Sequence, residues 1–91
     1  MTHKEFEKAV KDGKVQKLGF IGGPNENAVK MVKKRVVELV QHGDYDLMGK
    51  AQWSNIVSLR GAKIYTEQVG NVKVILVWFV DTKNIGIYAI T

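Results

Sequence analysis

The sequence predicts an α+β domain: two N-terminal helices packed on one face of a small antiparallel sheet that ends in a three-stranded C-terminal meander. Three observations carry this. Residues 62–69, 72–80 and 85–90 read as strands joined by two short turns, Gly70-Asn71 and Asp81-Thr82-Lys83-Asn84. Residues 27–41 repeat apolar side chains at helical spacing. Ninety-one residues with a single proline and no cysteine fit one domain, 1–91, built without disulfides or thiolate metal sites.

The first helix opens on Thr2-His3-Lys4-Glu5, a capping box in which Thr2 covers an open backbone N–H and Glu5 reaches back. Phe6, Ala9 and Val10 recur at helical spacing, and Gly13 supplies the stop. Residues 15–21 alternate, with Leu18 and Phe20 on one side, as a short strand able to pair with the C-terminal sheet. Gly22-Gly23-Pro24-Asn25 breaks the chain. In the second helix Pro24 suits the first turn and Asn25 the cap, while Ala28, Val29, Val32, Val36, Leu39 and Val40 form one apolar arc. Lys30, Lys33 and Lys34 flank that arc on one side and Arg35 on the other. Gly43 ends the helix. Residues 44–60 are ambiguous: Trp53, Ile56, Val57 and Leu59 call for burial, and helix and strand fit equally.

The meander fixes its own register. A two-residue Gly70-Asn71 turn sets Val69 opposite Val72. Val72, Val74, Leu76, Trp78 and Val80 then share an apolar face with Tyr65, Val69, Ile85, Ile87 and Ala89, which is expected to pack on the helices. The other face carries Ile64, Thr66, Gln68, Lys73, Ile75, Val77, Phe79, Tyr88 and Ile90. That mixed face is the expected place of function, and an apolar patch left open on it favours a homo-oligomer.

The net charge of +5 comes from the first 35 residues, where nine Lys/Arg stand against four Asp/Glu. Such a basic third suits a polyanionic partner, most often nucleic acid. No apolar run approaches the ~20 residues of a membrane-spanning helix, and the start has no signal-peptide pattern, so a cytoplasmic protein with no membrane partner is expected. Gly19-Phe20-Ile21-Gly22-Gly23-Pro24 lacks both G-x-x-x-x-G-K-[ST] and G-x-G-x-x-G and reads as a structural turn. Asp44 and Asp46, His3 and His42 show no metal-ligand spacing; no metal and no cofactor are expected.

From Leu59 the chain runs Leu-Arg-Gly-Ala-Lys-Ile-Tyr-Thr-Glu-Gln-Val-Gly-Asn-Val-Lys-Val-Ile-Leu-Val-Trp-Phe-Val-Asp behind a Lys-rich helix. This pattern resembles the RelE/ParE toxin superfamily, including its HigB-like phage branch, over about residues 27–91. The resemblance implies a small α+β toxin acting as a metal-independent endoribonuclease on ribosome-bound messenger RNA, with RNA or the ribosome and an antitoxin protein as partners. Carried over residue by residue, it makes Lys73, Tyr88 and Arg60 the catalytic candidates. Lys30, Lys33, Lys34, Lys63 and Gln68 become the RNA-binding ones. Lys73 and Gln68 stand where the family usually has arginines, and neither offers arginine's bidentate fork to phosphate. The alternative is a non-enzymatic phage or mobile-element protein that binds a protein or nucleic acid through its mixed sheet face. A third reading is a toxin-like fold that binds a protein target such as gyrase.

Overall fold

The computed structural model describes residues 1–47, 49–51, 59 and 61–91. Its elements are α1 (His3–Lys11), β1 (Gln16–Gly22), α2 (Glu26–Gln41), β2 (Lys63–Val69), β3 (Val72–Phe79) and β4 (Asn84–Ile90). The four strands form one antiparallel sheet in the order β1-β4-β3-β2. The fold is α+β, with two helices and four strands.

Local chemistry explains the boundaries. Thr2 and Glu5 close the capping box, each donating a backbone N–H to the other's side-chain oxygen at 3.1 Å. Gly13, at φ 72°, ends that helical segment. Asn25 caps α2 by accepting the Ala28 N–H at 3.0 Å, so Pro24 sits just before the cap instead of inside the first turn. In the β2–β3 hairpin only Gly70 takes a positive φ, and Val69 stands opposite Val72. The pairings Leu76–Ile87, Trp78–Ile85 and Val74–Ala89 then put the apolar face together in the register read from the turn.

The helices do not share a face. On the first face α2 packs Val29, Val36 and Val40 against Val74, Leu76, Trp78 and Ile85. On the second, α1 packs Phe6 and Val10 against Ile75, Val77 and Tyr88, together with Val15, Ala51, Leu59 and Ala62. This corrects the expectation of two helices on one side. The reason lies in β3: Val74, Ile75, Leu76 and Val77 are consecutive and all fully buried, and a strand apolar on both faces needs cover on both. His3 ties α1 in place, its Nε2 donating to the Ala62 carbonyl at 2.8 Å.

A second correction concerns β1. A register irregularity between Lys17 and Gly19 sends Leu18 to the α2 cluster, while Phe20 stands on the opposite face beside Phe79. Leu18 and Phe20 are therefore on different sides, because a bulge resets the two-residue alternation. The segment 49–51 covers the outer edge of the first half of β1: Lys17 donates to the Gly49 carbonyl and Ala51 to the Val15 carbonyl, both at 2.8 Å. Of the ambiguous residues, Leu59 is buried in the α1 cluster; Trp53, Ile56 and Val57 lie outside the described residues.

The glycine-rich run is not a turn throughout: Gly19 to Gly22 are strand residues of β1, and Gly23 carries the chain from that strand towards α2. The Gly23 carbonyl accepts the Trp78 indole N–H at 2.8 Å, and its own N–H donates to Lys83. A Cβ on Gly23 would lie 2.5 Å from Ile85 Cγ1, so only glycine lets this backbone approach the core. The entry to α2 is thereby fixed over the first face.

Candidate nucleic-acid interface

The residues named from the sequence divide between the two faces. Gln68, Lys73 and Tyr88 share the second face: Gln68 pairs with Lys73 across the hairpin, and Ile75, two residues beyond Lys73, pairs with Tyr88. Their surroundings differ. Gln68 is exposed and donates from Nε2 to the Gly70 carbonyl at 2.9 Å, which commits it to its own turn. Lys73 is half-buried and lies in the field of Glu5 at the start of α1. The Glu5 carboxyl is held below its usual pKa first by the hydrogen bonds of the Thr2 cap, with a smaller contribution from Lys73.

Tyr88 is a core residue. It is 4% exposed, its ring meets Phe6 edge-on with centroids 5.3 Å apart, and burial pushes its phenol pKa up. A proton-moving group for a bound RNA must reach the solvent side, and α1 stands in the way. Arg60 lies outside the described residues.

Lys63 and the α2 lysines belong to the first face. The Lys63 ammonium sits 5.7 Å from the Trp78 ring centroid, a cation–π contact at the start of β2. Lys33 reaches Glu67 on β2 at 3.3 Å, and Arg35 pairs more loosely with Glu38 at 3.8 Å. Tyr65 adds a long contact to the Glu26 carboxylate at 3.5 Å; burial first, and then Glu26, raises its pKa. Lys30 and Lys34 are exposed, one helical turn apart, and neither has an ion pair among the described residues. The structure therefore leaves Lys30 and Lys34 available and uses Lys33 as a strap between α2 and the sheet.

Three residues that sequence reasoning did not single out come together on the second face: Phe20 and Phe79 at the end away from Lys73, and Lys17 reaching towards them from the row of Tyr88. Phe20 is 52% exposed, and its ring centroid lies 6.2 Å from that of half-buried Phe79. The Lys17 ammonium lies 5.6 Å from the Phe20 centroid. The signal was present as an aromatic in a glycine-flanked strand, but strict alternation placed Phe20 beside Leu18 and hid its proximity to Phe79.

Among the described residues no group of His, Asp and Glu could hold a metal ion, and no helix is long and apolar enough to cross a membrane. The arrangement offers cations, aromatic rings and hydrogen-bonding edges. No protein-family model matches the chain, and no curated protein or solved structure matches it either.

Proposed function

We propose that this chain is a nucleic-acid-binding module, held to its polymer mainly by charge, and that binding rather than cleavage is its activity. The observation that carries this reading is the pair Lys30 and Lys34. Like charges at i and i+4 cost a helix about 0.2–0.5 kcal/mol; Glu26 and Glu38 stand one turn away at either end of the pair, but neither lysine closes an ion pair with them among the described residues. A phosphate chain laid along α2 removes that repulsion and releases counterions. The net charge of +5 acts in the same direction over a longer range.

A ribonuclease of the RelE type is the second reading, and it rests on Lys73, a half-buried cation on the second face. Lys73 supplies a cation for a developing phosphorane charge; the Glu5 carboxylate accepts the Thr2 N–H and its pKa is lowered, so it is poorly suited to take the 2′-OH proton. Tyr88, buried beneath Phe6, is less suited to that role.

One experiment separates the two. Purified protein is titrated into end-labelled RNA, and the products are followed by both gel shift and length. Binding with the RNA intact, weakened in a Lys30→Glu/Lys34→Glu variant, is the expected outcome. RNA that shortens with time, and stays whole with Lys73→Ala, would replace the binding reading with the ribonuclease.

A further inference from the structure

We infer that the open end of the second sheet face is a stacking platform for a single-stranded nucleic acid, with Phe20 and Phe79 taking bases and Lys17 a phosphate. This rests on the nucleic-acid reading above and adds the form of the polymer. The two rings are 6.2 Å apart and tilted by 36° to one another, and Phe20 keeps half its surface in water. Between their strands runs β4, where Gly86 pairs with Phe20 on one side and Val77 on the other. Gly86 raises no side chain of its own there. Instead the Tyr88 ring lies over it, so close that a Cβ on Gly86 would sit 2.7 Å from the phenol oxygen. Gly86 and Tyr88 are both buried, so the aromatic surface offered to solvent here is that of Phe20 and half-buried Phe79.

Charge decides what such a surface suits. Lys17 Nζ stands 5.6 Å from the Phe20 centroid, whereas the turn that follows Phe79 carries exposed Asp81 beside exposed Lys83 and adds no net charge. An aliphatic protein surface would use the rings and gain nothing from the cation. A single strand uses both, since every base has a π face and every nucleotide a phosphate. A duplex keeps its bases stacked inside and cannot reach the rings. The platform and the Lys30/Lys34 surface lie on opposite faces of the sheet, so the two can be removed separately.

The test uses a short single-stranded RNA containing a fluorescent adenine analogue whose emission is quenched by stacking, with a duplex of equal length as comparison. The unaltered protein should quench the single strand and bind it more tightly than the duplex. Phe20→Leu, which keeps the apolar bulk without the ring, should lose roughly tenfold in single-strand affinity and leave duplex binding unchanged. Phe20→Tyr should retain the quench. Lys17→Gln should lower the salt dependence by about one phosphate contact without abolishing the quench. Equal affinity for single strand and duplex, with Phe20→Leu silent, would overturn the platform and leave the charge-based reading standing. Failure to bind either polymer would overturn both. A protein that self-associates through Phe20, becoming monomeric in Phe20→Leu with no quench in either form, would show the platform to be a contact between copies and overturn the inference.

Discussion

Trp78 and Tyr88 show how single side chains set what each face can do. The Trp78 indole spans from β3 to the Gly23 carbonyl, and removing that donor would leave a buried acceptor unmatched, at a cost of about 1–3 kcal/mol. Tyr88 occupies the matching place on the other face, under Phe6, where its phenol is kept neutral by burial. Its folded pKa is raised, so above the ordinary tyrosine value of about 10 the unfolded chain releases a proton that the folded chain retains. This contribution to stability is complete below that pH and is lost as pH rises through the folded pKa. Tyr88→Phe is therefore expected to lose stability less steeply than the unaltered protein above about pH 10, measured by denaturant unfolding across pH. Parallel curves would mean that the phenol is hydrated and that α1 does not seal this face. The residual alkaline slope of the variant includes Tyr65, whose pKa is also raised by burial and by Glu26.

At the level of elements, the fold is a sheet sandwiched unequally, by a long helix on one face and a short helix with its neighbouring loop on the other. The long helix is stitched to β2 by Lys33–Glu67 and anchored at its entry by Gly23. Gly23→Ala would drive a Cβ into Ile85 Cγ1 and Cδ1, at 2.5 and 2.7 Å, and Ile85 is fully buried with nowhere to retreat. We expect a loss of about 1–3 kcal/mol from overpacking, seen as a lower denaturation midpoint; an unchanged midpoint would contradict the close approach of this backbone to the core.

The same elements show what could be read without coordinates. The hairpin register was legible because Gly70-Asn71 leaves one choice of partners, and the α2 arc was legible because six apolar side chains recur on one stripe. The side taken by α1 was not. Phe6 and Val10 say that the helix buries a stripe, and nothing local says against which face. The deciding evidence was the unbroken run Val74–Val77, whose second-face members Ile75 and Val77 needed a cover of their own. The bulge in β1 was equally hidden, since no residue type marks the irregularity at Leu18. The site followed the fold: Gln68, Lys73 and Tyr88 were correctly placed on one face, but their accessibility depended on where α1 lay. Phe20 and Phe79 could be paired only once β1 was known to lie against β4.

Across the whole molecule, cations lie on both sides of the sheet, and the Phe20–Phe79 pair lies on one. The α2 side offers Lys30 and Lys34; the far side offers Phe20 and Phe79 at one end, Lys73 at the other and Lys17 between them. Both helices carry lysines on their outward surfaces, so a flexible polyanion meets attraction from either side. A flexible strand suits cations on both faces better than a rigid rod, because it can follow them from one face to the other. The sheet edges differ as well. Lys63 and Glu67 place charges on β2, a pattern that discourages strand addition, whereas β1 has its first half covered by residues 49–51.

The most direct test is the salt dependence of binding to a single-stranded oligonucleotide. Three lysines in phosphate contact, Lys17, Lys30 and Lys34, predict that the logarithm of the association constant falls linearly with the logarithm of salt concentration, with a slope of roughly −2 at about 0.7 per contact. The Lys30→Glu/Lys34→Glu variant should flatten that slope to well under half. A slope near zero in the unaltered protein, or no binding at low salt, would contradict the account at its centre.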